Sequence, residues 1–231
     1  MWLLSVDTTS KDASVALLCA SRLVALVAPV ADEQHSVQLF RNIQQALAEA
    51  GIALCDLDVY AVASGPGAFT ALRVGLTVIK GLAEVHNKPV VPVSVLEAVA
   101  ESASADGLLV PLVDAYRGQI FAGLYEKKDG ELTRRGPEFV LILEDFLARL
   151  EVDGVQPGSS TLVSPQMKRW AARLDATPFA TSRRESISPV LAEAVARRAE
   201  KKLARGETVD ALRLEANYVR CSDAELLWKG K

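Results

Sequence analysis

The chain has 231 residues, half of them hydrophobic, few aromatics and a formal net charge of −3. That length suits one large domain or two small ones, and the apolar fraction excludes a disordered chain. The longest apolar runs, such as Leu23–Val30, fall far short of the ~20 residues a membrane span needs, so no membrane contact is expected. Asp7 interrupts the N-terminal apolar run before a signal-peptide pattern develops. Cys19, Cys55 and Cys221 fit neither a disulfide framework nor a zinc pattern. They are expected as small buried hydrophobes in a reducing cytosol.

In chain order, Leu3–Val6 reads as a strand, Asp7-Thr8-Thr9-Ser10-Lys11-Asp12 as a turn, and Ala13–Cys19 and Arg22–Pro29 as two further strands. This meander is not the opening of a dinucleotide-binding domain. A helix is predicted over Ser36–Ala50, closed by Gly51, with Leu39, Ile43, Ala46, Leu47 and Ala50 on one face. Val59–Ala63 is a short strand, broken by Ser64-Gly65-Pro66-Gly67, and a helix follows from about Phe69 to Val85. Val90–Val93 and Val95–Ser102 read as a strand and a helix. The order β-β-β-α-β-α-β-α is that of the ribonuclease-H-like half of the actin-like ATPase (ASKHA) architecture, an α/β fold with mixed sheets.

A break near residues 102–107 starts a second copy, shorter and less regular. It has strands Leu108–Val113 and Gln119–Tyr125, a hairpin turn at Lys127-Lys128-Asp129-Gly130, and a late helix from about Pro189 to Arg205. The expected division is residues 1–105, carrying the helices suited to pairing, and a smaller degenerate subdomain over 106–231 whose last helix has the option of packing back on the first. The front of the chain is acidic and the tail basic. Arg197, Arg198, Lys201, Lys202 and Arg205 share one helical pattern that suits either RNA phosphate or a solvated face.

Two turns offer phosphate-binding chemistry. Asp7, Thr8 and Thr9 follow the first strand, and Asp114 ends the equivalent strand of the second half. Gly65 and Gly67 bracket a proline ahead of a helix N-terminus, where free N–H groups suit an anion, but no Gly-Lys-Ser/Thr follows and the run is not a P-loop. A rigid structural turn is the competing reading at each. The second predicted helix is apolar on two faces: Leu72, Leu76, Ile79 and Ala83 on one, Val74, Val78 and Val85 on the other. Such a helix must bury both. One face covers the sheet and the other needs a neighbouring helix or another chain. His35 and His86 lie in different segments, so no metal-ligand pattern forms and no cofactor is expected on this chain alone.

Val6-Asp7-Thr8-Thr9, Ala13–Leu17, His35-Ser36, the run from Ser64 to Gly75, Lys80–Ala83, Pro92–Ala98, Asp114–Phe121 and Tyr218-Val219-Arg220 together resemble the TsaB (YeaZ) family. The likeness is dense to about residue 125 and thin from there to about 215. Ala68 stands where the family often has Ser, and Ala71 where Gly is common.

The resemblance implies a non-catalytic, cytoplasmic subunit of the bacterial machinery that installs N6-threonylcarbamoyladenosine in tRNAs reading codons that begin with A. It implies a heterodimer with a TsaD-like paralogue that performs the transfer, a TsaE-like ATPase joining the pair, tRNA engaged through the complex, and a homodimer when the chain is alone. ATP and Mg²⁺ are then expected only in the assembled complex. Carried over by position, the docking residues are His35, Ser36, Leu39, Phe40 and Ile43, with Phe69, Thr70, Arg73, Val74 and Thr77 from the second helix. Asp7, Thr8, Thr9, Gly65, Gly67 and Asp114 are then vestigial phosphate loops. The competing expectation is a small actin-fold ATPase or kinase acting alone through Asp7, Thr9 and Asp114.

Overall fold

The computed structural model describes residues 1–28 and 35–219. β1 (Trp2–Asp7), β2 (Ser14–Cys19) and β3 (Arg22–Val27) form the expected antiparallel meander. After α1 (His35–Ala50), β4 (Val59–Gly65) returns parallel to β1. Then come α2 (Phe69–His86), β5 (Val90–Ser94) and α3 (Val95–Glu101), giving the sheet order β3-β2-β1-β4-β5. Ser94 caps α3, its hydroxyl accepting from the Leu96 N–H while Glu97 accepts from the Ser94 N–H.

The first sheet is covered on both sides, which is why β4 is buried at every position and reads as a continuous apolar run rather than an alternating one. Leu4 and Val6 of β1 join Leu39, Ile43, Leu72, Leu76 and Ile79 of α1 and α2 in one core. Ser5, pointing the other way, donates to the Ala192 carbonyl at 2.6 Å.

The second half repeats the plan. β6 (Gly107–Asp114) and β7 (Gln119–Ala122) are antiparallel. A hairpin of β8 (Tyr125–Lys128) and β9 (Glu131–Arg134) follows, then β10 (Phe139–Ile142), α4 (Leu143–Val152), β11 (Ser160–Ser164), α5 (Met167–Asp175) and β12 (Arg183–Ser186). The order β10-β7-β6-β11-β12 matches that of the first sheet, with the same parallel and antiparallel senses, and the hairpin pairs onto β6. Trp170, Phe146, Leu147 and Phe179 fill its core with Leu112 and Leu162. The single strand expected over Gln119–Tyr125 is instead two. The chain leaves the ladder after Ala122, so that Tyr125 pairs with Leu109 while Phe121 pairs with Val113.

The last described helix, α6 (Ala192–Ala204), packs on α3 and on the strands of the first sheet. The chain therefore divides into Met1–Ser102 with Ser188–Ala216, and Ala103–Ile187 with the described residues from Asn217 on. This moves 188–216 out of the 106–231 block, because the side of β1 and β2 away from α1 and α2 needs a cover. The cysteines differ from expectation: Cys55 is exposed and Cys19 half-buried, while Cys221 lies outside the described residues.

Candidate functional site

Asp7 ends β1 fully buried, and Thr8 and Thr9 are buried with it. Both hydroxyls are turned inward. Thr8 Oγ1 donates to the Ala71 carbonyl at 2.7 Å, and Thr9 Oγ1 and N–H donate to Asp7 Oδ1 at 2.6 and 2.8 Å. The Ala68 N–H at the start of α2 donates to the Thr9 carbonyl at 2.9 Å. Contact is so close that a Cβ on Gly67 would lie 2.5 Å from Thr9 Cβ, and one on Gly75 would lie 2.4 Å from Thr8 Oγ1. Glycine is thus required at both for backbone approach. The polar residues of the two turns, with Gly65 closing β4, lock β1 to α2. Burial pushes the Asp7 carboxyl above the usual carboxylate range, and the Thr9 hydrogen bonds only partly offset it. Its Oδ2 has no hydrogen-bond partner among the described residues.

The outward side of α2 is different. Ala71, Leu72, Gly75, Leu76, Ile79 and Ala83 face the core. Phe69, Thr70, Arg73, Val74, Thr77 and Val78 line an open depression of about 430 Å³. Phe69 is 44% exposed, Val74 and Val78 are half-buried, and Phe40 on α1 is 54% exposed. The Arg73 guanidinium lies 3.9 Å from the centre of the Phe69 ring, an i, i+4 pair along the helix. The structure thus gathers Phe69, Thr70, Arg73, Val74 and Thr77 at one place.

Two of the expected docking residues do not reach the surface. Leu39 and Ile43 are 3% and 2% exposed and belong to the core, because α1 turns its main apolar stripe to the sheet. The side chains of His35 and Ser36 lie outside the described residues, although both begin α1. Val78 lines the depression without having been among the expected docking residues. Its place four residues after Val74 was the available signal.

The basic tail helix spends its charge internally. Arg198 is buried and pairs with Glu97 at 3.4 Å, Lys202 reaches the same carboxylate at 3.4 Å, Lys201 pairs with Glu101, and Arg197 with Glu193 at 3.2 Å. In the second unit Asp114 accepts from the Tyr116 N–H at 3.0 Å and pairs with Arg169 at 2.6 Å. The strand end that mirrors Asp7 is therefore held by a tethered guanidinium. Among the described residues no cluster of His, Cys, Asp or Glu is placed to hold a metal ion, and no helix is long and apolar enough to cross a membrane.

A family model described as TsaD, tRNA N6-adenosine threonylcarbamoyltransferase, matches residues 26–208. The chain is 35% identical over 152 residues to the tRNA threonylcarbamoyladenosine biosynthesis protein TsaB of Bacillus subtilis, covering 65% of this chain and 66% of that one. It is 32% identical over 144 residues to a tRNA N6-adenosine threonylcarbamoyltransferase of Thermus thermophilus, covering 56% and 45%. The matched stretches thus span just under two thirds and under half of those relatives' lengths. The solved structure of YeaZ from Pseudomonas aeruginosa superposes with a TM-score of 0.76 at 27% identity, over 94% of this chain and 99% of that one. With the strand order, the Asp7 turn and the two-faced α2 in the same places as the sequence motifs, the chain belongs to the TsaB (YeaZ) family, within the wider group that the TsaD model describes.

Proposed function

We propose that the chain is a non-catalytic partner subunit in the biosynthesis of N6-threonylcarbamoyladenosine in tRNAs that read codons beginning with A. It acts by docking the outer side of α1 and α2 against a TsaD-like transferase in the cytoplasm. The observation that carries this reading is the depression lined by Phe69, Thr70, Arg73, Val74, Thr77 and Val78, on a helix whose opposite side is already in the core. An apolar helix face left half-covered is characteristic of a protein interface. Support for the pathway comes from the relatives named for that modification. The same face serves a homodimer when the transferase is absent. A TsaE-like ATPase and tRNA join the pair, and ATP and Mg²⁺ enter only with the assembled complex.

Val74→Glu tests it. A carboxylate buried without a partner costs several kcal/mol, so the dissociation constant for the transferase should rise about 100-fold or more. The melting temperature of the isolated chain should hardly change, because Val74 is half-exposed. Co-elution of the variant with the transferase on size exclusion, unchanged from wild type, would reject the interface. Saturable binding of ATP–Mg²⁺ by the isolated chain in calorimetry would favour the stand-alone ATPase or kinase.

A further inference from the structure

The two halves of the chain follow one strand plan, and in it α5 takes the place of α2. Each helix is tied to the turn after the first strand of its own half, but by different means. In the second unit the tie is an ion pair, from Asp114 to the exposed Arg169 at 2.6 Å. A pair of that kind contributes little, and it holds a long side chain rather than the helix backbone. In the first unit the tie is buried and reaches the backbone of α2 itself.

Its contacts recur at successive turns of the helix. Thr9, held by two hydrogen bonds to Asp7, accepts the Ala68 N–H on its carbonyl at 2.9 Å and leaves no room for a Cβ on Gly67. Thr8, 1% exposed, donates to the Ala71 carbonyl at 2.7 Å and leaves no room for a Cβ on Gly75. Residues 67–68, 71 and 75 are about one helical turn apart. Ala68, at the N-cap, makes no side-chain hydrogen bond, so the start of α2 lacks the fastening that Ser, Thr, Asn or Asp supplies there. The threonine turn supplies a fastening in its place. The residues that line the depression, from Phe69 to Val78, interleave with the clamped positions along the same stretch of helix.

We infer that Thr8 and Thr9 are positioning residues for partner docking, and that the turn they form presets the first two turns of α2 in the position the partner meets. This rests on the docking face proposed above and adds what holds that face in place. A helix that already stands in its bound position spares the complex an ordering cost at association. The hydroxyls that a phosphate loop would turn to its ligand are used here on the helix.

The test is calorimetric titration of the purified transferase with the full chain carrying Thr8→Val, Thr8→Ser or Val74→Glu. Thr8→Val keeps the side-chain shape and removes the hydroxyl, while the Ala71 carbonyl keeps its place in the helical ladder. The dissociation constant should rise about fivefold, the worth of one buried neutral hydrogen bond. Thr8→Ser, which retains the hydroxyl, should bind like wild type. A chain short of one hydrogen bond stays almost wholly folded, so lost stability alone does not move the constant. In the isolated chain, the amide resonances of residues 68–74 should shift in Thr8→Val while those of residues 79–83 hold. Unshifted resonances at 68–74 overturn the inference, as does Thr8→Ser binding as weakly as Thr8→Val. So does Thr8→Val binding like wild type while Val74→Glu does not. Val74→Glu binding like wild type instead rejects the docking face, and the positioning role falls with it.

Discussion

Asp7 is a carboxylate sealed beneath the start of a helix, and its environment sets how stability responds to pH. Burial raises its pKa most, the Thr9 hydroxyl and N–H lower it, and Asp12 raises it slightly. The net shift is upward. A group whose pKa is higher in the folded state contributes stability that is fully present below the unfolded value and is lost as pH rises through the folded one. Wild type should therefore gain on Asp7→Asn as pH falls from about 8 to about 4. Urea unfolding of both proteins across that range checks this, and a pH-independent gap between them would show that Asp7 does not titrate differently on folding. The turn itself was legible from Asp7-Thr8-Thr9 and the Gly-Pro-Gly run, because small polar residues and glycines mark a tight crossing. Which way the hydroxyls point was not, since phosphate binding and internal locking call for the same residue types.

At the scale of elements, α3 and α6 are joined by charge. Glu97 accepts from the Ser94 N–H, pairs with buried Arg198 and receives Lys202, so one carboxylate caps a helix and is shared by two cations. Glu97→Gln should destabilise the chain by about 3 kcal/mol, because it strands a buried guanidinium. Arg198→Met should cost clearly less, since it removes the buried charge and leaves its volume filled. Thermal unfolding of the two variants compares them, and equal losses would show that the pair acts through packing alone. The partnership was hidden in sequence because its members are about a hundred residues apart, and a basic run on its own reads as a solvated face. α1 and α2 were legible because their apolar residues repeat at helical spacing. The stretch from β10 to β12 was not. Ile142 ends β10 and Leu143 begins α4 with no turn residue between them, α5 is only nine residues long, and β12 is the polar Arg-Arg-Glu-Ser.

For the whole molecule, the decisive feature is that the chain leaves its first unit after Ser102 and returns to it at Ser188. α6 supplies the far cover of the first sheet, with its start fastened to β1 and β2. Ser5 donates to the Ala192 carbonyl, and the Ala192 N–H donates to Ser14 Oγ at 3.2 Å. A fragment of residues 1–102 should therefore fail to unfold cooperatively and should bind hydrophobic dyes. Adding a peptide of residues 188–216 should restore a single transition by near-ultraviolet circular dichroism. A well-behaved, cooperative 1–102 fragment would show that α6 is dispensable. The doubled strand order could be glimpsed in sequence from the restart after residue 102. The return was open in sequence only as an option for the last helix, because a helix's partner sheet is set by long-range packing and α6 carries no local mark of which sheet it covers.

That return also times the birth of the protein. At roughly 5–20 residues per second of translation, the first five strands emerge seconds before the helix that closes over them. Until Ala204 clears the ribosome, the nascent chain must carry a bare sheet face through a crowded cell, and that interval is when an escort is needed most.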